Sequence, residues 1–276
     1  MFLSKKKATK RKPLLGESVS ELDFDNVKIL KKELVQGTYE KGSIHNCWLE
    51  NSLFREVTFI RTDFSHTSDH GNVFDTVNFK NCKLNRAAIG YDGSKYMNCV
   101  FENCNFTGAI FIRGEFDDCK FVNCKLKGVD FGASSFMNCS FEGKVMDVWF
   151  RGGYAASYGE KEFGKARANT MLNVSFEEAE LEYPTFSNNC DLSTIRLPKK
   201  GNYHLFDKWP ERLTFLKGEI ESWPEMEKKD AMDFIEAHMV HAKTQPWYAI
   251  GGRELEEDYK NLIWPKLIDG LKRFIK

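Results

Sequence analysis

The sequence predicts a mainly β fold built from a five-residue repeat, followed by a small α-helical module. Three observations support this. A large apolar residue recurs at nearly every fifth position from Phe24 to Met146. The residue two places before it is usually small, and the residue two places after it is often Asn or Gly. Beyond about residue 198, helical periodicity replaces this pattern. A period of five fits neither an α-helix nor a flat strand.

We call the large residue the centre of its pentad. Centres run from Phe24 to Phe64, fail at Asp69, and resume from Phe74 to Ile89. After a two-residue slip across "GYDGSK" they continue from Tyr96. Asn and Gly best tolerate the positive φ of a tight corner. Each pentad is therefore predicted to be a short extended segment ending in a corner, with small and large residues pointing inward.

This pattern resembles the pentapeptide-repeat family, whose repeat is A(D/N)LXX. The resemblance covers residues 22–146 strongly and 169–192 weakly, with Phe in place of Leu at most centres and Cys in place of Ala before them. It implies a right-handed quadrilateral β-helix, a β-solenoid with four pentads per coil. We expect a basic flexible tail at 1–20, a solenoid at 21–198, and a helical module at 199–276 that caps the solenoid or dimerises two chains.

With twenty residues per coil, centres and cysteines should stack into interior ladders. The predicted ladder residues are Phe101, Phe121, Phe141, Phe106, Leu126, Cys99, Cys119, Cys139, Cys104 and Cys124. One thiol per coil at a spacing of ~4.8 Å cannot supply four converging zinc ligands or relaxed disulfides. All eight cysteines are therefore expected to be free, as in a cytoplasmic protein.

Interruptions of the repeat are the candidate functional regions. The first is the polar pentad "SHTSDHGN" at 65–72, where His66, Asp69 and His70 could hold a metal or simply be solvated; we predict no metal. The second is "GYDGSK" at 90–95, a bulged corner. The third is a loop at about 147–170, rich in aromatic and basic residues. Its predicted partner-binding residues are Trp149, Phe150, Arg151, Tyr154, Tyr158 and Lys161. In the alternative, Trp149 and Phe150 fold back as a structural plug.

Helical signals follow the solenoid. Ser222 and Glu225 form a capping box that predicts a helix from about Trp223 to Ala242. A second helix should begin near Arg253 and be kinked or restarted at Pro265.

Charge and composition narrow the function. Residues 1–20 carry six Lys/Arg and one Glu, residues 21–198 net −5, and residues 199–276 carry fourteen of each sign. No apolar run is long enough to span a membrane, and no domain is basic enough for direct nucleic-acid binding. No catalytic residue, cofactor or metal is predicted.

We therefore expect a non-catalytic interaction scaffold with a protein partner. The resemblance implies an alternative, because well-understood members of the family mimic duplex DNA and protect a type II topoisomerase such as DNA gyrase. A second alternative is a host-directed effector or an enzyme that uses the C-terminal module. A continuous acidic face would favour mimicry, and a deep polar pocket near 199–276 would favour an enzyme.

Overall fold

The computed structural model describes residues 22–259 and 263–274, so the predicted tail at 1–20 lies outside it. Residues 22–198 form the predicted β-solenoid. Its strands are β1 (Lys28–Leu30), β2 (Glu33–Glu40), β3 (Trp48–Glu50), β4 (Leu53–Ile60), β5 (Ser68–His70), β6 (Val73–Asp75), β7 (Asn78–Lys80), β8 (Ala88–Tyr91), β9 (Lys95–Met97), β10 (Val100–Glu102), β11 (Ile110–Ile112), β12 (Glu115–Asp117), β13 (Lys120–Val122), β14 (Asp130–Gly132), β15 (Ser135–Met137), β16 (Ser140–Met146), β17 (Trp149–Arg151), β18 (Ala179–Glu182) and β19 (Thr185–Ser187).

Each coil has four sides. Strands β1, β3, β5, β8, β11, β14, β17 and β19 stack in parallel as one eight-stranded sheet, which we call face 1. An eleven-stranded sheet forms the next two sides, because β2 and β4 each run through a corner. Single bridges such as Asp63↔Lys83 form the fourth side. A left-handed residue follows the centres by two places, as at Asn26, Lys31 and Gln36, so the predicted corners recur every five residues.

The solenoid interior is a set of stacked aromatic ladders. Phe101 pairs in register with Phe121, and Phe121 with Phe141. Their ring centroids lie 4.9 and 4.8 Å apart with nearly parallel planes. Phe106 and Leu126 are also buried. Each ring therefore fills the space between its neighbours one coil before and one coil after, in a stacked geometry that aromatic pairs favour.

The eight cysteines are free and buried. Those of the two predicted ladders direct their thiols at carbonyls of the preceding coil, for example Cys119 Sγ to Tyr96 O at 3.3 Å and Cys124 Sγ to Phe101 O at 3.2 Å. Burial is the main cause that raises the pKa of Cys119 and Cys139 well above the usual value. These thiols pack as small apolar groups with a weak donor.

The structure corrects the start of the third interruption. Val145, rather than Met146, is the buried centre, since the coil loses one residue after the corner at Gly143 (φ 85°). In the shifted frame the next centre is Phe150, in β17. Phe150 pairs with Phe131 of the preceding coil and with Phe186 of the following coil. Residues 147–151 therefore continue the coil, and the insertion is residues 152–168, which we call the insertion loop; it contains the short helix α1 (Gly159–Phe163).

Residues 199–274 contain more structure than predicted. The elements are β20 (Tyr203–Phe206), α2 (Trp209–Ile220), α3 (Glu225–Ala242), β21 (Tyr248–Gly251), α4 (Gly252–Tyr259) and α5 (Trp264–Arg273). Strands β20 and β21 pair antiparallel. The predicted capping box is wrong: Ser222 Oγ donates to Glu219 O at the end of α2, and no side chain caps α3. Helix α2 and both strands were not predicted.

Two side chains of the C-terminal part supply the hydrogen bonds that a further coil would otherwise make with the end of the solenoid. Within the solenoid, the N–H of a centre donates to the following coil, as from Ile44 to Asp63 O at 2.7 Å. Leu181 in β18 instead donates to the Tyr203 hydroxyl at 3.2 Å, and that hydroxyl donates to Leu181 O at 2.7 Å. The buried Gln245 carboxamide likewise accepts from Cys190 N at 2.9 Å and donates to Cys190 O at 2.7 Å. These contacts support the proposal that residues 199–276 cap the solenoid.

We expect Phe121→Ala to lower the free energy of unfolding by ~3–5 kcal/mol, because it removes a buried ring between two others. Denaturant unfolding measures this change. Phe215→Ala, which truncates a ring that is 37% exposed, is the control and should cost much less. A loss below ~1 kcal/mol for Phe121→Ala would contradict its place in the core ladder.

We expect Tyr203→Phe to cost ~1–3 kcal/mol, since both backbone groups of Leu181 lose their partner while the ring remains. Tyr183→Phe removes a hydroxyl bonded only to the exposed Glu257 carboxylate, so it serves as the matched control. Equal stabilities of the two variants in thermal and denaturant unfolding would show that Tyr203 does not terminate the sheet.

Candidate interaction site

The first two interruptions meet at strand β5 of face 1. The strand's alternation separates the residues considered for a metal site. Asp69 points into the core and is 4% exposed, while Ser68 and His70 face outward. His66 lies at a corner beside His45, with ring centroids 5.4 Å apart. Among the described residues no group of three or more His, Cys, Asp or Glu could hold a metal ion.

Asp69 is the carboxylate of a buried polar network. Oδ1 accepts from Asn72 Nδ2 at 2.5 Å and Ser94 Oγ at 2.7 Å. Oδ2 accepts from Tyr96 Oη at 2.6 Å and Gly90 N at 3.0 Å. Burial raises the pKa of Asp69, and the hydrogen bonds oppose that shift. A cavity of about 30 Å³, large enough for a water molecule, adjoins the carboxylate where a larger centre would otherwise fill the core.

On the outside of β5, His70 links three residues. Its Nε2 lies 2.7 Å from Ser68 Oγ and its Nδ1 lies 3.0 Å from Asp92 Oδ2. Its ring stacks on Trp48 with centroids 3.8 Å apart. Sequence analysis did not find this link, because Asp92 comes beside His70 only through the two-residue bulge in β8.

The hydrogen bonding of Ser68, His70 and Asp92 matches that of a hydrolase triad, but such a triad also needs free N–H groups to stabilise an oxyanion. The N–H groups of Ser68 and Ala88 already donate within the sheet, to Cys47 O and Thr67 O, each at 2.8 Å. They cannot also stabilise an oxyanion at Ser68. The imidazole is covered by Trp48. The arrangement holds the turn containing Asp92 against β5.

The bulge at 90–95 also contacts the insertion loop. Tyr91 packs edge-on against Phe163, with ring centroids 5.8 Å apart. The Arg113 guanidinium donates to Phe163 O. A methyl group at Gly93 or at Gly164 would clash with that guanidinium. Arg113 is thus held between a glycine of the turn and a glycine of the loop, and all three interruptions form one contiguous structure.

The base of the insertion loop is closed by polar contacts. Arg151 binds Asp130 with both Nε and Nη2, the latter at 2.7 Å. Asn169 is buried; its Nδ2 donates to Arg151 O and its Oδ1 accepts from Phe136 N. Arg167 binds the Asp117 carboxylate at 2.6 and 3.0 Å. The loop leaves and rejoins the solenoid at nearly the same place.

The structure divides the six predicted partner-binding residues. Phe150 is a buried rung, 5.3 Å from Phe131 and 5.4 Å from Phe186, so it can be neither an exposed anchor nor a plug. Trp149 and Arg151 flank it on the outer side of β17. Tyr154 is half-buried and its hydroxyl donates to Gly164 O at 2.7 Å. Tyr158, 63% exposed, and Lys161 remain on the surface of the loop.

Face 1 also carries exposed apolar residues that sequence analysis missed. The pairing register aligns Trp48, Ser68, Ala88 and Ile110 in one row on the outer surface. Ile110 is 55% exposed and Trp48 37%. Their outward direction could have been predicted from the sequence, because residues next to an inward-pointing centre face outward.

Charges on the other sides are mixed. Ion pairs join successive coils at Arg55–Asp75, Lys80–Glu102, Lys83–Asp63 and Lys127–Asp147. Each pair places a basic residue beside an acidic one on the neighbouring coil, so these positions do not form a continuous acidic stripe. Duplex DNA presents a negative charge every ~1.7 Å.

A second cleft, of about 510 Å³, lies between the last coil and the C-terminal elements. Its charged side chains largely pair with one another, as in Lys144–Glu182 at 2.9 Å and Lys199–Glu178 at 2.8 Å. Burial raises the pKa of Glu254 to about 6, and this carboxylate accepts from Tyr183 N at 2.7 Å. The polar groups of this cleft thus bind one another and connect the last coil to the C-terminal elements.

Twenty-residue parallel coils with left-handed corners every five residues decide the fold. The chain is a four-sided β-solenoid of five-residue repeats. No family model matches the sequence, and no curated protein matches it. No described helix is long and apolar enough to cross a membrane.

Solved structures that resemble the pentapeptide-repeat solenoid are distant in sequence. HetL of the cyanobacterium Nostoc sp. strain PCC 7120, a pentapeptide-repeat protein involved in heterocyst differentiation regulation, is 12% identical; the match covers 67% of this chain and 93% of HetL, with a TM-score of 0.41. A trypsin-treated variant of QnrB1, a plasmid-mediated fluoroquinolone resistance protein, is 11% identical over 62% of this chain and 93% of its own, with a TM-score of 0.22. Rfr23 of Cyanothece 51142 is 9% identical over 64% and 88%, with a TM-score of 0.19.

We expect Arg113→Ala to release the insertion loop without unfolding the solenoid, because the guanidinium bonds the loop backbone from the outer surface. Hydrogen exchange of a peptide covering residues 159–164 should become several-fold faster. Arg61→Ala, which removes an exposed ion pair with Glu40 elsewhere on the surface, is the control. Unchanged exchange in Arg113→Ala would show that Arg113 does not hold the loop.

Proposed function

We propose that this chain is a non-catalytic protein-interaction scaffold whose partner binds the surface formed by Trp48, Ile110 and the exposed residues Tyr158 and Lys161 of the insertion loop. We call this the interaction surface. The observation that carries the proposal is the convergence of all three interruptions on face 1, where exposed apolar and aromatic side chains occur on a rigid scaffold. Exposed aromatic residues on such a support are typical of binding anchors.

The interior supports a non-catalytic role. The core is filled by stacked aromatic rings, and the cavity beside Asp69 holds no more than a water molecule. Small-molecule sites usually need several hundred Å³. The larger cleft is lined by charged groups already paired with one another. We also place the protein in the cytoplasm, since its buried cysteines are free thiols.

The mixed charges of the solenoid sides weigh against DNA mimicry. A topoisomerase partner would have to recognise the interaction surface by packing rather than by an acidic stripe. A homodimer through residues 199–276 stays a prediction, and sedimentation analysis of the full chain at several concentrations tests it.

We expect Tyr158→Ala and Ile110→Ser to reduce recovery of a specific partner from native cell extract at least ten-fold, with unfolding curves close to that of the parent chain. Both side chains are exposed, so their loss removes contact area without opening the core. The measurement is quantitative affinity purification with the full chain as bait.

Met226→Ser is the matched control, because Met226 is 87% exposed and lies on α3 rather than on the interaction surface. Recovery should be the same as with the parent chain. If Met226→Ser lowers recovery while Tyr158→Ala and Ile110→Ser do not, the partner binds the C-terminal helices and the interaction surface is misassigned.

A further inference from the structure

Asp69 occupies a position that the repeat reserves for a large apolar side chain. Its neighbours in the ladder are Leu49 one coil before and, across the bulge, Ile89 one coil after. Both are buried, so an apolar centre would pack between them. A buried carboxylate must give up its hydration and is rarely the most stabilising choice at such a site. Its presence calls for a role other than filling the core.

The hydrogen bonds of Asp69 reach mainly into the next coil. Only Asn72 belongs to its own coil; Gly90, Ser94 and Tyr96 belong to the coil that is two residues longer. Gly90 and Ser94 stand on either side of residues 91–93, where the extra length bulges outward. The carboxylate therefore ties both ends of the bulge to one point.

The same bulge carries the contacts to the insertion loop. Tyr91 packs against Phe163, and Gly93 makes room for the Arg113 guanidinium that bonds Phe163 O. From outside, His70 holds Asp92. One pentad thus fixes the bulge from both faces of β5, inward through Asp69 and outward through His70.

We propose that Asp69 is a positioning residue for the interaction surface: its carboxylate sets the conformation of residues 90–94, and these hold the insertion loop in place. The inference rests on the proposed function for its biological meaning, but the placement of the loop can be tested without a partner. Asp69 acts through the turn and does not touch the partner itself.

The chemistry of the site requires a carboxylate. Four donors converge on Asp69, namely an amide of Asn72, two hydroxyls and a backbone N–H. An ionised carboxylate accepts at both oxygens and can satisfy all four donors. Asn would present an NH₂ group to two of the donors, and Leu would leave all four unsatisfied. Either substitution should loosen the turn.

The test is hydrogen exchange, followed by mass spectrometry, of the full chain and its Asp69→Asn variant. A peptide covering residues 152–168 should exchange at least ten-fold faster in the variant. Peptides from α3, which does not contact the turn, should be unchanged. Unchanged exchange of the loop in folded Asp69→Asn overturns the proposal.

Two further variants separate positioning from general destabilisation. Ile44→Ala removes a buried centre of the coil before Asp69 and keeps all four donors to the carboxylate, so it should leave exchange of the loop unchanged; an equal increase would overturn the proposal. Tyr96→Phe keeps a ring stacked between Phe74 and Phe116, at 4.6 and 4.7 Å, and removes a single donor to Asp69. It should speed loop exchange two- to three-fold even if Asp69→Asn fails to fold, and no change there would also overturn the proposal.

The outcomes also separate this inference from the proposed function. If Asp69→Asn frees the loop but the variants of Tyr158 and Ile110 keep full partner recovery, Asp69 positions a loop that is not the binding element. If those variants lose the partner while Asp69→Asn leaves loop exchange unchanged, the interaction surface stands and the positioning role of Asp69 is wrong.

Discussion

Backbone hydrogen bonding between successive coils is the constraint on which this molecule depends. Centres such as Ile44, Phe64 and Leu84 donate their N–H to the following coil, so each coil needs a neighbour in register. That need sets the regular corners, because a corner that shifts by one residue would turn a centre out of the core. The same need applies at the end of the solenoid. There the Tyr203 hydroxyl and the Gln245 carboxamide each supply a donor and an acceptor in place of a further coil.

The regular part of the solenoid could be predicted because one physical requirement repeats. Phe101, Phe121 and Phe141 are large, apolar and twenty residues apart, and all three must fill the same narrow interior. The loss of one residue after Gly143 could not be predicted in this way. Gly143 has the positive φ of the other corners, so nothing in its residue type marks the shorter pentad that follows it. With the frame shifted by one residue, Phe150 no longer fell on a predicted centre. The capping box failed for a different reason, since Ser222 found a carbonyl of α2 instead of the start of α3.

The sequence identified the three interruptions, because residues that break a regular core stand out from the repeat. The structure brings the three interruptions into contact. Their contacts depend on distances that sequence spacing does not reveal. Gly93 and Gly164 are far apart in the chain, yet both lie against Arg113. Asp69 stands where the frame places a centre, yet the sequence did not show that it points inward. Its four donors include the hydroxyl of Tyr96, itself a centre of the next coil.

The geometry of stacked coils explains why the interruptions act together. The bulge lies on β8 and the insertion loop leaves β17, three strands further along face 1. At ~4.8 Å per strand this is a distance of ~14 Å. A chain of seventeen residues covers it easily while folding one helical turn on the way. The bulge at residues 91–93 projects from an otherwise flat side of the solenoid, so it gives the insertion loop a fixed support. The sides of this solenoid are held flat by hydrogen bonding between coils, and its irregular surface arises where an insertion in one coil supports an insertion from another.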